Sequence, residues 1–261
     1  MKTRANGVEI EYSIDGERGP WVIMSHSLGC TLEMWDAQVP ALQGRYRVLR
    51  YDTRGHGRSE GTSGLYTLEM LAQDALGLLD HLGIERAHWV GFSMGGMIGQ
   101  TFALRYPQRL LSLVLADTTS EHSGTPHAIW EERIRVAREE GLGPLVDPAV
   151  RRWFTERFRI ENPGQTGRVA EWIGQTSVDG WCGCCGAIAS IATTEQLHLI
   201  DCPVLVMVGE KDIGTPLASA LEMHRRLPQS VLALISDAAH MTCIEQHAQF
   251  NRALTMFLDS V

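Results

Sequence analysis

The stretch GFSMG at residues 91–95 decides how the rest of the chain is interpreted. Residues 87–90 before it are typical of a short buried strand, and residues 96–104 after it carry apolar side chains at helical spacing. A strand that enters a helix through one serine holds that serine in a sharply turned, strained backbone. The flanking glycines avoid a collision between the crossing strand and helix. The pattern predicts that the Ser93 hydroxyl is lifted above a sheet as a nucleophile. A glycine-rich turn with a serine helix cap is the simpler alternative.

Outside this stretch, short apolar runs alternate with helical patterns, which indicates a mostly parallel sheet covered on both faces. The predicted strands are residues 8–14, 21–25, 46–51, 87–90, 110–116, 202–209 and 230–235. The predicted helices between and after them are residues 33–42, 68–82, 96–104, 217–227 and 243–260. The predicted fold class is therefore α/β, with a mostly parallel central sheet flanked by helices.

The alternation stops in the middle of the chain, where the sequence shows amphipathic helices and no clear buried strand. The helical patterns there are residues 129–140, 149–158, 165–175 and 187–195. An insertion of this size within an alternating pattern predicts a helical cap. We place the cap at residues 118–198, over one edge of a core formed by residues 1–117 and 199–261.

The candidate partners of Ser93 are side chains that follow predicted strands, because active residues of such sheets lie at the carboxyl ends of the strands. His240 follows the last strand and is the candidate base, since a serine hydroxyl needs a base to take its proton. Asp212 and Asp117 each follow a strand, and both compete to orient the histidine. We favour Asp212 because its strand is next to the one that delivers His240. The chain order is then Ser, Asp, His.

Two backbone amides are candidates for holding the oxyanion of a tetrahedral intermediate. One is the Met94 N–H at the start of the helix after Ser93. The other is the Leu28 N–H in the loop after the first buried strand, where Gly29 permits the turn. An ordinary strand exit is the alternative for this loop. Residues 52–59 are interpreted as a structural loop in which Asp52 and Arg54 bond to neighbouring backbone.

The charge of the chain excludes some classes of partner. The 261 residues carry a formal net charge of −8, whereas nucleic acids and anionic membranes require a basic face. The N-terminal residues lack the apolar core of a signal peptide, and no run approaches bilayer length. We therefore expect a cytoplasmic protein that acts on a small molecule, with no nucleic-acid or membrane partner.

Three of the six cysteines cluster at Cys182, Cys184 and Cys185. Their C-x-C-C spacing has no second pair and no neighbouring histidine, so it does not match a zinc site. We interpret the cluster as a tight helix or turn packed beneath the cap. No metal and no cofactor are expected.

The motifs in this order resemble the α/β-hydrolase superfamily over nearly the full chain. Within that superfamily the chain resembles the 3-oxoadipate enol-lactonases. That resemblance rests on SLG at 27–29, MWDAQVPAL at 34–42, RVLRYD at 47–52, AAH at 238–240 and EQ at 245–246. The chain departs from this family at His26, where asparagine is usual, and at His247, where proline is usual.

The resemblance implies a serine hydrolase that opens a five-membered enol lactone bearing a carboxylate arm, a step of aromatic-compound catabolism in the β-ketoadipate pathway. The arm needs a cation, and Arg133 with Trp130 as an apolar wall is the predicted contact. Arg135, Arg151 and Arg152 are further candidate cations in the predicted cap. Other readings on the same fold are a different carboxylesterase or lactonase, a C–C bond hydrolase, a cofactor-free perhydrolase and a ligand-binding receptor. The C–C hydrolases are usually richer in glycine at the oxyanion loop.

Overall fold

The computed structural model describes residues 1–122 and 126–261, and its centre is one eight-stranded sheet. The strands are β1 (Lys2–Ala5), β2 (Val8–Asp15), β3 (Trp21–Ser25), β4 (Arg47–Tyr51), β5 (Ala87–Phe92), β6 (Leu110–Ala116), β7 (Val204–Gly209) and β8 (Ser230–Ile235). Their spatial order is β1-β2-β4-β3-β5-β6-β7-β8. The pairs β1–β2 and β2–β4 are antiparallel, and all pairs from β4 to β8 are parallel. The carboxyl ends of β3 to β8 therefore share one edge of the sheet.

Helices cover the sheet and fill the segment between β6 and β7. The core helices are α1 (Val39–Leu42), α2 (Leu68–His81), α3 (Met94–Arg105), α9 (Leu217–Arg226), α10 (Thr242–Glu245) and α11 (His247–Leu258). The helices between β6 and β7 are α4 (Pro126–Glu140), α5 (Gly143–Trp153), α6 (Glu156–Glu161), α7 (Pro163–Gln175) and α8 (Val178–Ala189). Short 3₁₀ turns occur at Leu32–Trp35, Pro107–Arg109 and Thr194–Leu199. In the described ranges, no helix combines the length and the apolarity that crossing a membrane requires.

The centre of the sheet is β5, and α3 packs directly on it. Every residue of β5 is buried, which explains why its sequence lacks the polar alternation of a half-exposed strand. Trp89 of β5 donates its indole N–H to the Gly95 carbonyl at 3.1 Å. Gly99 of α3 allows this approach, since a Cβ there would lie 2.5 Å from the Trp89 indole nitrogen. The strand-to-helix junction at Ser93 is thus built into a closely packed part of the core.

The N-terminal strand β1 was missed by the sequence prediction. It pairs with β2 through a two-residue turn at Asn6 and Gly7, which have φ of 46° and 85°. Both residues are in the left-handed region, as a type I′ hairpin turn requires. The Asn-Gly dipeptide is the signal that could have identified this hairpin.

Two predicted core helices are shorter than expected. The predicted helix 33–42 is a 3₁₀ turn followed by the four-residue helix α1, which has Pro40 in its first turn. A continuous helix is impossible there, because the Pro40 ring would clash with the carbonyl of Asp36. The predicted helix 243–260 is divided into α10 and α11 at Gln246, whose backbone is not helical.

The helices between β6 and β7 differ from prediction in two places. The predicted helix 149–158 is interrupted at Phe154 and Thr155, which are extended. The predicted helix 187–195 is wrong, because the helix there is α8, which ends at Ala189. The sequence did not predict α8, because its glycines are poor helix formers. The division into a core and a cap domain at residues 118–198 stays a prediction.

Glycines give α8 a backbone contact with the loops beneath it. A Cβ at Gly180 would lie 2.2 Å from the carbonyl oxygen of Gly55, and one at Gly183 would lie 2.6 Å from the Tyr66 ring. Ser177 donates its hydroxyl to the same Gly55 carbonyl at 2.9 Å. The cluster Cys182, Cys184 and Cys185 is buried in this helix with free thiols. Among the described residues, no cysteine belongs to a group of three side chains close enough to hold a metal ion.

In the loop at residues 52–59, Asp52 and Arg54 both bond to backbone as predicted, and Arg54 also pairs with a side chain. Asp52 accepts hydrogen bonds from the backbone N–H groups of Leu32 at 2.7 Å and Arg58 at 2.8 Å, as expected. Arg54 donates to the Asn6 carbonyl at 3.3 Å and also forms a bidentate pair with Asp74 of α2, in which both side chains are almost fully buried. This ion pair fastens the loop to α2.

We expect Asp74→Ala to lower the free energy of unfolding by about 3–5 kcal/mol, because it leaves the buried Arg54 charge without its partner. The matched control is Asp80→Ala on the same helix. Asp80 pairs with Arg109 but is more than half exposed, so its loss is expected to cost less than about 1 kcal/mol. Denaturant unfolding measures both values, and equal effects of the two substitutions would contradict the expectation.

Candidate active site

Ser93 lies at the turn between β5 and α3 with φ of 53° and ψ of −114°. A non-glycine residue in this region carries a strain of about 1–3 kcal/mol. A Cβ at Gly95 would lie 2.0 Å from the Ser25 carbonyl oxygen, and one at Gly91 would lie 2.3 Å from the Gly95 carbonyl oxygen. Both glycines are therefore required by close backbone packing. The Ser93 N–H donates to the Ala116 carbonyl at 2.8 Å, which fixes the turn against β6.

His240 joins Ser93 and Asp212 in one hydrogen-bonded chain. Its Nε2 lies 3.1 Å from Ser93 Oγ, and its Nδ1 lies 2.7 Å from Asp212 Oδ2. An ionised carboxylate can only accept, so Nδ1 carries the proton and Nε2 accepts from the serine hydroxyl. The arrangement can remove the proton from Ser93 and stabilise the cation that forms.

Asp212 is held in its ionised form by its neighbours. Its Oδ1 accepts from the backbone N–H groups of Gly214 at 2.7 Å and Thr215 at 3.1 Å, and its Oδ2 accepts from the Thr215 hydroxyl at 2.7 Å. Burial alone would raise the pKa of Asp212, but attraction to His240 and these hydrogen bonds outweigh burial and leave the pKa below its usual value. Thr215 was missed by the sequence analysis, although it lies three residues after Asp212 in a position typical of an Asp-initiated turn.

The loop that carries His240 is fixed by the helices above it. The Met241 N–H donates to the Trp153 carbonyl at 2.9 Å, and the Trp153 ring lies 6.1 Å from the imidazole. Glu245 accepts from the Ala239 N–H at 3.0 Å and also from the Thr155 hydroxyl. The histidine is thus oriented by α5 and α10 as well as by Asp212.

Asp117 lies beside this chain without bonding to His240. Its Oδ1 accepts from the Gly209 N–H at 2.8 Å, and its Oδ2 is hydrogen-bonded to the Thr242 hydroxyl. Burial and the neighbouring charge of Asp212 raise the pKa of the Asp117 carboxyl well above its usual range. The two competing carboxylates are therefore distinguished by geometry, because only Asp212 contacts the imidazole.

The Leu28 and Met94 backbone amides are the predicted donors to the oxyanion. In the described part of the chain, neither backbone N–H donates a hydrogen bond to another protein group. Gly29 has φ of 69°, and a Cβ there would lie 2.8 Å from the Trp181 ring. The turn after Leu28 thus needs glycine for its conformation and for its contact with α8.

A cavity of about 680 Å³ opens above Ser93 and His240. Leu28 and Met97 line its lower part, and the helices above contribute aromatic side chains. A larger groove of about 980 Å³ lies between β8 and α11 and contains none of these residues. Because the smaller cavity holds the hydrogen-bonded chain, it is the candidate active site.

Arg133 and Arg152, two of the four candidate arginines, reach this cavity, and Trp130 also lines it. The Arg133 guanidinium stacks 4.3 Å from the centre of the Trp130 ring. Burial, with repulsion from Arg152, lowers the pKa of Arg133 to about 10. Among the described residues, neither Arg133 nor Arg152 pairs with a carboxylate. Arg135 and Arg151 instead form exposed ion pairs on their own helices.

Comparison with known proteins agrees with this fold. The family model of the alpha/beta hydrolase fold matches residues 20–246. The 3-oxoadipate enol-lactonase 2 of Acinetobacter baylyi is 36% identical, over 96% of this chain and 93% of that protein. The crystal structure of the enol-lactonase from Burkholderia xenovorans LB400 has a TM-score of 0.96 and 37% identity, covering 99% of this chain and all of that one. A RutD protein of Agrobacterium fabrum, provisionally named a carbamate hydrolase, is 30% identical over 96% of this chain and 97% of its own.

The chain belongs to the α/β-hydrolase family. It is a hydrolase of this fold, and 3-oxoadipate enol-lactonases are among its relatives at 32–36% identity over nearly the whole chain. The predicted fold class and the resemblance to enol-lactonases are confirmed.

We expect Asp212→Asn to lower kcat/KM for a p-nitrophenyl ester by about three to four orders of magnitude. Asparagine favours the wrong imidazole tautomer and cannot stabilise the imidazolium. Asp117→Asn is the matched control, with an expected loss below about tenfold, because Asp117 does not touch the ring. Steady-state kinetics of the two variants shows which carboxylate orients His240. A larger loss with Asp117→Asn would assign that role to Asp117.

Proposed function

We propose that the protein is a serine hydrolase of a small lactone or ester that carries a carboxylate group, with 3-oxoadipate enol-lactone as its substrate. The observation that carries the proposal is the unpaired Arg133 and Arg152 in the same cavity as the chain Ser93–His240–Asp212. A half-buried cation without a protein partner has lost part of its hydration, and a ligand of opposite charge compensates for that loss. The similarity to enol-lactonases supports the same substrate.

In the proposed mechanism, Ser93 Oγ attacks the lactone carbonyl while His240 Nε2 takes the hydroxyl proton. Asp212 stabilises the imidazolium, and the Leu28 and Met94 amides hold the oxyanion of the tetrahedral intermediate. Collapse of the intermediate breaks the ring C–O bond, and His240 returns its proton to the leaving enol oxygen. The opened chain remains attached to Ser93 as an acyl ester. His240 then deprotonates a water, which attacks this ester and releases the acid and free Ser93.

The proposed substrate makes the first half of the reaction strongly favourable. Opening an enol lactone releases an enol, which tautomerises to the more stable ketone, so the reverse ring closure is suppressed. The carboxylate arm binds Arg133 and Arg152, and the Trp130 ring supports Arg133 by stacking. This reaction belongs to aromatic-compound catabolism, and we propose a cytoplasmic location for it.

Ser93→Ala is expected to lower turnover by at least about three orders of magnitude, since it removes the nucleophile and keeps the oxyanion donors. Hydrolysis of a p-nitrophenyl ester measures this loss. The control is Ser63→Ala, at an exposed serine outside the cavity, which is expected to act like wild type.

A fluorophosphonate probe separates an enzyme from a ligand-binding receptor on the same fold. We expect wild-type protein and Ser63→Ala to be labelled and Ser93→Ala to stay unlabelled, because only an activated serine reacts. Folded wild-type protein that resists labelling would favour the receptor.

The carboxylate preference is tested by comparing 3-oxoadipate enol-lactone with an uncharged lactone of similar size. We expect Arg133→Gln and Arg152→Gln each to lower kcat/KM for the charged lactone by about 10–100-fold, the value of one charge-assisted hydrogen bond. The uncharged lactone should be hydrolysed nearly as before. Arg135→Gln and Arg151→Gln are matched controls on the same two helices, with exposed guanidinium groups. Equal efficiencies of wild-type enzyme on both lactones would reject this substrate class and leave the serine hydrolase.

A further inference from the structure

Asp117 is a buried carboxyl group that the proposed mechanism does not use. It is fully buried and has φ of 46°, a strained conformation for a residue with a side chain. Its backbone N–H donates to the Met207 carbonyl at 2.9 Å, so the residue is held at the carboxyl edge of the sheet. A strained, buried ionisable residue beside a reactive centre requires a physical explanation.

The side chain of Asp117 connects the two loops that carry Asp212 and His240. Gly209, which donates to Oδ1, lies three residues before Asp212, and Thr242, which contacts Oδ2, lies two residues after His240. These loops also touch directly, since a Cβ at Gly209 would lie 2.1 Å from the Ala239 carbonyl oxygen. Asp117 is therefore placed to set the separation of the imidazole and the carboxylate.

The surroundings of Asp117 disfavour a second negative charge. Ligand atoms of Asp117, Asp212 and His240 all lie within 4.8 Å of one another. Asp212 is ionised by its contacts with His240 and Thr215, and Glu245 adds another carboxylate from α10. Cys243 of the same helix is a neutral thiol at ordinary pH, because burial raises its pKa. His240 offers its Nδ1 proton to Asp212, and among the described residues no Lys, Arg or His donates to Asp117.

We propose that Asp117 is a neutral carboxylic acid and a positioning residue, which accepts from the Gly209 N–H and donates its own proton to the Thr242 hydroxyl oxygen. The ionised form would accept from the Thr242 hydroxyl at Oδ2, and in the neutral form the direction of this hydrogen bond is reversed. A neutral Asp117 adds no second negative charge beside the ion pair of His240 and Asp212. The two loops are held together without a charge that would compete for the His240 proton.

The pH dependence of stability tests the charge of Asp117 directly. A carboxyl that keeps its proton on folding makes wild-type protein lose stability as the pH rises above about 3.8, the pKa expected in the unfolded chain. Asp117→Asn offers the same acceptor and donor but does not titrate. We expect the unfolding constant of wild type relative to this variant to rise by up to about tenfold per pH unit between pH 5 and 7. A ratio that stays constant or falls with pH would show an ionised Asp117 and overturn the proposal.

Infrared spectroscopy of the wild-type protein gives a second measurement, which does not require the Asp117→Asn variant to fold. We expect the carbonyl band of a protonated carboxyl group at pH 7, and we expect Thr242→Val to shift it by removing the hydrogen-bond acceptor. Absence of this band from the wild-type spectrum would overturn the proposal.

The positioning role of Asp117 is tested by asking whether asparagine restores the activity that alanine removes. Of the three experiments, this one alone rests on the proposed function. We expect Asp117→Ala to lower kcat/KM for a p-nitrophenyl ester by about tenfold or more, because Gly209 and Thr242 lose their common partner. Asparagine should restore most of this loss, since it rebuilds both hydrogen bonds. Equal losses with alanine and asparagine would overturn the positioning role. If wild type fails to hydrolyse any ester, the proposed function fails, while stability and infrared results still decide the charge of Asp117.

Discussion

The structure depends on one local constraint, the strained backbone of Ser93 between β5 and α3. A residue with φ of 53° and ψ of −114° persists only where surrounding contacts exclude the relaxed alternatives. Gly95 packs against the Ser25 carbonyl, and Trp89 bonds to the Gly95 carbonyl from below. The Ser93 N–H is held by β6. The buried centre of the sheet thus supplies the stability that keeps the hydroxyl exposed to the cavity.

The remaining site residues are arranged around this fixed point by the order of the strands. Because β6, β7 and β8 are adjacent and parallel, Asp117, Asp212 and His240 leave the sheet at the same edge. Adjacency also brings two carboxyl groups close together, which is electrostatically unfavourable if both are ionised. The structure treats them differently: Asp212 has the histidine and several donors, whereas Asp117 has two neutral partners. The strand order that assembles the site therefore also places two carboxyl groups close together, and their different partners reduce the repulsion between them.

Local signals in the sequence were sufficient for the fold class and for the meeting of Ser93, His240 and Asp212, because each follows a strand with a clear apolar pattern. Features that depend on tertiary contact were not accessible. The glycines of α8 do not predict a helix by themselves. The need for glycine is explained only by the close backbone contact between Gly180 and Gly55. Arg151 and Arg152 are neighbours in sequence, yet only Arg152 faces the cavity, because the rotation of α5 about its axis decides this. Arg54 could not be paired with Asp74 before the packing of α2 was known.

The helices between β6 and β7 are attached to the rest of the protein in two different ways. The helices α5 to α8 are tied to the core by the contacts of Trp153, Thr155, Arg168 and Gly180. Helix α4, which carries Trp130 and Arg133, packs on its neighbours α5 and α8. Substitutions on the inner face of α4 can therefore exchange one recognised chemical group for another without moving the backbone that holds the nucleophile. A lineage with this architecture can acquire new substrates through one helix while the reaction chemistry remains the same.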